Sequence, residues 1–385
     1  MLIKRAATLL VKTISQHKSA IVIIDPDYDG QSSAALLINY LYSLFPRWSS
    51  ECLTWVLHEG KQHGLQDCLD KVYDYSLIIV PDAGSSDTKE MHELREGGSE
   101  IIVLDHHLTD TNPIEYADAA IINNQCCDYP NKELSGVGVT YQFCRYLDKL
   151  SNKKNADNYL DLVATGLIGD MMDLRSHETR YLVNQGLHSI RNPLIGAMVE
   201  RNSYSLGDEL TPIGVAFYIV PYINAMCRSG TPQEKEVMFE AMLESKAYQK
   251  IDSTKRGHKF GEQEQVLVQA VRTLTNVKNR QTKIQDSAME YAETIISDNN
   301  LLSHRMILLL LENDEVMPAE IRGLVANKIM AKYNRPCCIL TLKDGSYQGS
   351  ARGCDKTGVK EFKDICESTG LVDYCAGHQG AFGLG

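Results

Sequence analysis

The chain has no apolar run approaching the roughly 20 residues that a membrane-spanning helix needs, so no membrane partner is expected. Its start, Met1-Leu2-Ile3-Lys4-Arg5-Ala6-Ala7, lacks both a long apolar segment and a small-residue cleavage site, which argues against a signal peptide. It also lacks any CxxC pair. The eleven cysteines are irregularly spaced, and Cys126-Cys127 and Cys337-Cys338 are vicinal, so a structural zinc site is not expected. An odd cysteine count in 385 residues, a chain too large to need disulfide staples, predicts reduced thiols and a cytoplasmic location. Internal repeats and low-complexity tracts are absent. Nor is there an excess of positive charge: the net charge is −11, which by itself speaks against nonspecific nucleic-acid binding. Local basic stretches do exist, at Lys278–Lys283 and Lys328–Arg335, though each also reads as a solvated helix face.

The sequence is rich instead in acids at the ends of apolar runs. Ile21-Val22-Ile23-Ile24 leads into Asp25-Pro26-Asp27-Tyr28-Asp29-Gly30, where the proline and glycine end the strand. Leu77 to Val80 ends at Pro81-Asp82, and Ile101 to Leu104 at Asp105-His106-His107. Leu160 to Gly169, a more helical run, ends at Asp170. A lone aspartate after a strand is most often a turn former, but four such segments in one chain are not explained that way. A calcium loop starting at Asp25 requires glutamate at its twelfth position, and Leu36 stands there. Carboxylates crowded at strand ends repel one another unless a cation neutralises them, so the cluster reads as a hard-metal site for Mg²⁺ or Mn²⁺. Two divalent ions would return about four positive charges there, which weakens the objection from net charge.

The predicted strands centre on residues 21–24, 53–57, 77–80, 101–104 and 119–122, and helices on 31–45, 65–71, 88–97, 137–150 and 157–168. That alternation predicts an α/β fold with a mostly parallel, doubly wound sheet, whose strand ends collect ligands. The helix from Gln31 would point its N-terminus, and its free N–H groups, at the acids and at any phosphate beside them. Residues 1–230 are expected to form this domain. Residues 231–300, polar and rich in helix formers, read as a long helical connector or helical pair. Residues 301–385 read as a smaller α/β domain with strands at 306–311 and 337–342, a helix near 318–333, and a turn over Asp344–Gly353.

These residues resemble the DHH phosphoesterase superfamily, and within it the RecJ-type single-strand-specific exonucleases. Asp25-Pro26-Asp27-Tyr28-Asp29-Gly30 resembles the first motif, His58-Glu59-Gly60 with His63-Gly64-Leu65 a substrate-side loop, Asp82-Ala83-Gly84 the second motif, and Asp105-His106-His107 the motif that names the superfamily. Asn123-Asn124, Asp128-Tyr129-Pro130 and Leu134 to Val139 resemble the stretch that follows in RecJ proteins. Leu160 to Asp170 with Arg180, and Pro221 to Arg228, resemble later segments. Gly349-Ser350-Ala351-Arg352 and Gly377-His378 are similar to the signatures of the DHH-associated domain. Departures are Ala376 where a glycine is usual, Met226-Cys227 in place of small residues, and Asp173-Leu174 and His177-Glu178-Thr179 around Arg180. RecJ proteins usually continue past the point matching Gly385, into the rest of this domain and an OB-fold that grips single strands.

The resemblance implies two-metal hydrolysis of phosphodiesters, with Asp25, Asp27, Asp29, Asp82, His106 and Asp170 as metal ligands and Asp82 bridging. An imidazole ligand favours Mn²⁺ over Mg²⁺. Asp105 would orient an imidazole or ligand a metal, and His107 would touch the scissile phosphate. Arg228, Ser350, Arg352 and His378 would bind the strand, the last three from across an interdomain cleft narrow enough to exclude a duplex. The implied partner is single-stranded DNA, degraded 5′ to 3′ to mononucleotides, in repair, recombination or replication, with repair or replication proteins as further partners. One rival is a relative acting on short RNA or cyclic dinucleotides, which carries a histidine four residues before the second acid; here that residue is Ile23. Another is an inactive RecJ-like scaffold, which would have lost metal ligands; here every expected acid is present.

Overall fold

The computed structural model describes residues 2–58, 63–109, 118–343 and 345–385. They fall into two compact units, Met1–Thr275 and Asn276–Gly385.

In the first unit, β1 (Ala20–Ile24), β2 (Leu53–Leu57), β3 (Leu77–Pro81), β4 (Glu100–Asp105) and β5 (Ala120–Asn123) form one sheet in the order β2-β1-β3-β4-β5. All four pairings are parallel. β1 and β3 are buried along their whole length, which is why they read as unbroken apolar runs rather than alternating ones. On one face Ile21, Ile23, Ile78, Val80, Ile101 and Val103 pack with Met91 and Leu94 of the helix Thr88–Glu96. Each such side chain contributes roughly 1.5–3 kcal/mol relative to exposure. The helix Tyr28–Leu44 is itself almost wholly buried and packs against the helices Gly136–Ser151 and Leu160–Gly169.

The strand order reverses direction between β1 and β3, since the chain leaves β1 toward β2 on one side and β3 toward β4 on the other. Such a switch point opens a crevice at the carboxyl ends of the two strands. Ala20 pairs with Leu77 and Val22 with Ile79, and continuing that register brings Asp25 level with Asp82.

Residues 232–298 are not helical throughout. Helices at Pro232–Met242 and Val266–Asp298 flank a small antiparallel hairpin of β6 (Lys250–Asp252) and β7 (Gln263–Gln265). The three-residue strands carry only one half-buried residue each, so no apolar alternation marks them in the sequence.

The second unit is a five-stranded sheet of β8 (Ile307–Leu311), β9 (Cys337–Lys343), β10 (Ser346–Arg352), β11 (Cys375–His378) and β12 (Ala381–Leu384), in the order β11-β12-β10-β9-β8. β8 and β9 are parallel and the remaining pairs antiparallel. One face packs Ile307, Leu309, Cys337 and Ile339 against Ile321, Val325 and Ile329 of the helix Ala319–Tyr333. The predicted turn over Asp344–Gly353 is corrected: Ser346–Arg352 is a central strand, paired on both sides. Its glycine, serines and glutamine give no hydrophobic signal because ladder hydrogen bonds, not side chains, hold it. Asp344 itself lies outside the described residues.

Candidate metal centre

Asp25, one residue past β1, is 1% exposed and stands at the switch point. Asp27 begins the next helix: its Oδ1 accepts from the Gly30 amide at 3.0 Å and caps the N-terminus, so Tyr28–Leu44 starts three residues earlier than the sequence pattern alone predicts. A β-carbon at Gly30 would lie 2.9 Å from the Asp25 carbonyl oxygen, so only glycine lets this helix turn so tightly over Asp25. Asp29, in the first turn, accepts a 2.7 Å hydrogen bond from Ser135 Oγ and faces the Val137 amide at 3.4 Å from either oxygen. It thus sits at the N-terminus of the helix Gly136–Ser151, where the dipole favours an anion.

Asp82 follows β3 with a left-handed backbone, φ +68°. For a residue with a β-carbon this conformation costs about 1–2 kcal/mol. Its Oδ1 is buried and makes no hydrogen bond among the described residues, with His106 Nε2 3.3 Å away. Asp170 is the C-terminal cap of the helix Leu160–Gly169 and lies 3.6 Å from the same Nε2. A carboxylate at the negative end of a helix, among other carboxylates, is unfavourable without a cation.

Ligand atoms converge in three overlapping groups, each within 4.8 Å: Asp25, Asp27 and Asp82; Asp29, His106 and Asp170; and Asp82, His106 and His107. Asp82 and His106 each belong to two of them. The acids bear the electrostatic cost. Burial pushes Asp25 up to about 6 and Asp170 up to about 8, with Asp29 and Asp27 adding to the latter. Asp29 is raised by burial too, and Asp82 well above the carboxylate range by burial and by Asp29, Asp27 and Asp25. Burial lowers His106, leaving a neutral imidazole able to ligate. Orphaned buried oxygen, converging acids and a neutral imidazole fit divalent cations of the Mn²⁺ or Mg²⁺ kind.

Asp105 and His107 behave differently. Asp105 Oδ1 accepts from the His106 amide at 2.7 Å, the His107 amide at 3.1 Å and His107 Nδ1 at 2.8 Å; Oδ2 accepts from the Ser85 amide at 2.9 Å. Burial alone would raise Asp105, but the bonds from His107 and Ser85 outweigh it and hold the group below the ordinary carboxylate range. In return the hydrogen bond to Asp105 lifts His107 to about 9, against the effect of burial. His107 is therefore a cation at neutral pH, half-exposed, with its ring tilted 48° against that of His106 at 4.4 Å between centroids. A cation suits an anionic substrate better than a metal.

His63 is a residue the sequence reading named only as part of a loop. Its Nδ1 stands 2.9 Å from both oxygens of Asp25, and that bond raises the imidazole above its ordinary value. Nothing in its spacing from Asp25 signals the contact, because the chain must traverse β2 to make it. Neighbouring His58 is buried and pairs with the Gly64 carbonyl at 2.5 Å; Glu59 and Gly60 of the same predicted loop lie outside the described residues. Ser135 and Asn123 were likewise given no role. Asn123 Nδ2 donates to Ser85 Oγ and to the His107 carbonyl, both at 2.9 Å, tying the end of β5 to the motif on β4.

Of the predicted substrate-binding residues, Arg228 belongs to this unit. It is exposed near the end of the helix Val220–Ser229. Its neighbour Cys227 accepts from Gln31 Nε2 at 3.4 Å. Ser350, Arg352 and His378 belong to the second unit. There Arg352 pairs with Ala381, and Ala381 with His378, so the three stand in one row across β10, β12 and β11. Paired residues share a face, and Ser350, two positions along, shares it too. The Arg352 guanidinium lies over Gly323 of the helix Ala319–Tyr333 on that face.

Residues 19–167 match the DHH family, N-terminal domain. Over 99% of its length the chain is 34% identical to the SPbeta prophage-derived protein YorK of Bacillus subtilis, whose name places it among single-strand DNA-specific exonucleases. It is 25% identical over 99% of its length to the single-stranded-DNA-specific exonuclease RecJ of Bacillus subtilis. It spans 65% of the length of the first relative and 45% of the second. The crystal structure of RecJ from Thermus thermophilus in complex with Mn²⁺ shares the fold, with a TM-score of 0.74, 22% identity, all of this chain and 52% of that one. A RecJ structure bound to manganese matches with a TM-score of 0.70 and 20% identity, covering all of this chain and 90% of that one.

Proposed function

Residues 19–167 being a DHH-family domain, we propose that the chain is a metal-dependent exonuclease of single-stranded DNA. It hydrolyses phosphodiester bonds from the 5′ end and releases mononucleotides, in the cytoplasm, in DNA repair, recombination or replication. The observation that carries this reading is the buried Asp82 Oδ1, without a hydrogen bond among the described residues, where two of the three carboxylate and imidazole groups meet. A neutral buried acid would need a hydrogen-bond partner, and an ionised one needs a cation. The names of YorK and RecJ support the substrate class.

Asp25, Asp27, Asp29, Asp82, His106 and Asp170 would hold two divalent ions. When bound, these supply an activated water and charge stabilisation at phosphorus. His106 favours Mn²⁺ over Mg²⁺, since nitrogen suits the softer ion. The protein's own part is geometric and electrostatic. Asp105 fixes the His107 ring and keeps it protonated, so that a cationic N–H faces the scissile phosphate. Arg228 offers an exposed guanidinium. Ser350, Arg352 and His378 present a hydroxyl, a fork and an imidazole along one sheet face, a set suited to phosphate oxygens.

The test is Mn²⁺-dependent digestion of a long single strand labelled at either end, beside duplex DNA, short RNA and cyclic dinucleotides. Mononucleotides released from the 5′ end of the single strand alone are expected. Cleavage only of short or cyclic substrates would overturn the reading.

A further inference from the structure

Three cysteines of the second unit converge on the sheet face opposite Arg352. Cys338 of β9 pairs with Ala351, and Cys375 of β11 pairs with Leu384, so each points away from the row that holds Arg352 and His378. The helix Phe362–Ser368 covers this face and adds Cys366. Cys338, Ala351, Phe362, Phe382 and Leu384 form a small apolar cluster, with Cys366 and Cys375 packed at its margin. Cys338 is 2% exposed, whereas Cys366 and Cys375 are partly open to solvent. Cys366 thus packs against the cluster that holds Cys338, and the two thiols are close enough to shift one another's titration. Among the described residues these thiols do not form a group close enough to share an ion.

An accessible thiol beside a buried one has the two parts that disulfide exchange requires, an attacking sulfur and a resolving sulfur. The neighbouring Cys338 thiol lowers Cys366 below its ordinary value, against the effect of burial. The same interaction and burial raise Cys338, so the thiolate is favoured on the accessible side and the buried partner stays protonated until its turn. Cys375, raised by burial, lacks that help.

We propose that Cys366 and Cys338 are a redox-modification site, an attacking and a resolving cysteine that close to a disulfide on meeting a small-molecule disulfide. The Cys366 thiolate attacks one sulfur of the small disulfide, forming a mixed disulfide and expelling one small thiolate. Cys338 then gives up its proton to that thiolate and attacks the Cys366 sulfur, expelling the second. Two protein thiols are oxidised and one small disulfide is reduced to two thiols. The new bond ties the helix Phe362–Ser368 to β9. This site does not depend on the nuclease reading.

The experiment treats the folded full chain with oxidised glutathione, alkylates the remaining thiols, and maps peptides without reduction. The expected product is a peptide pair joined through Cys338 and Cys366, with loss of two of the eleven free thiols and recovery of both on reduction. Cys375→Ser should keep the crosslink. Cys366→Ser should abolish it and leave Cys338 without glutathione. A stable glutathione adduct on Cys366, a Cys366–Cys375 bond, or both thiols remaining free in the wild-type chain would each overturn the assignment.

Discussion

Gly136 rests on Asp82: a β-carbon at that glycine would lie within 2.6 Å of Asp82 Cα. The helix that begins at Gly136 therefore presses on a residue already held at φ +68°. The same helix start receives Asp29 through Ser135 and Val137. One glycine thus governs how two carboxylates from different segments meet.

Gly136→Ala is accordingly expected to displace Asp82 and reduce exonuclease activity by about 100-fold, the usual cost of misplacing a catalytic group by about 1 Å. Mn²⁺ binding, read by calorimetry, should weaken in parallel. Wild-type binding and activity in this variant would show that the close approach is not needed.

The metal-free protein should lose stability as pH rises. Asp25 and Asp170 have folded-state values of about 6 and about 8, above their ordinary 3.8. Raised acids stabilise the fold fully below the unfolded value, and that contribution is lost as pH climbs through the folded one. His107, at about 9 against an ordinary 6.5, acts in the same direction, its share lost as pH rises from about 6.5 through about 9. The thermal midpoint without metal is expected to fall between about pH 4 and about pH 8. Mn²⁺ should raise it most at the upper end, with proton release on binding. A midpoint that rises over this range would contradict the charge states assigned here.

Asp105→Asn tests the pairing with His107. In the metal-free wild type the His107 imidazole should titrate at about 9 by NMR. In the variant its midpoint should drop toward the ordinary 6.5, and activity should fall with it. A purely structural role for Asp105 would leave the midpoint in place.

Ser135→Ala removes the 2.7 Å hydrogen bond to buried Asp29. Leaving a buried charged acceptor short of a donor typically costs about 1–3 kcal/mol. Denaturant unfolding of the metal-loaded protein should show a loss in that range; no loss would mean that the bond is replaced.

Much of the first unit was legible because its strands are buried on both faces and end in acids. The runs at Ile21, Leu77 and Ile101 could be read directly, and so could Asp25, Asp82 and Asp105 after them. What escaped depends on chain return. His63 reaches Asp25 only after β2, and Ser135 reaches Asp29 across 106 positions, so neither contact has a local pattern. β10 escaped for a different reason. A central strand made of Ser346-Tyr347-Gln348-Gly349-Ser350 carries turn residues in every respect but its hydrogen bonds.

The most direct measurement is the activity of Asp82→Asn on a 5′-labelled single strand with Mn²⁺. Asparagine tolerates the left-handed backbone and keeps the shape of the side chain while removing its charge. The account predicts loss of at least about 100-fold in rate, with a metal-free thermal midpoint at about pH 8 no lower than wild type, because one member of a crowded set of buried acids is gone. Unchanged Mn²⁺-dependent cleavage would contradict the placement of the metal centre at Asp82.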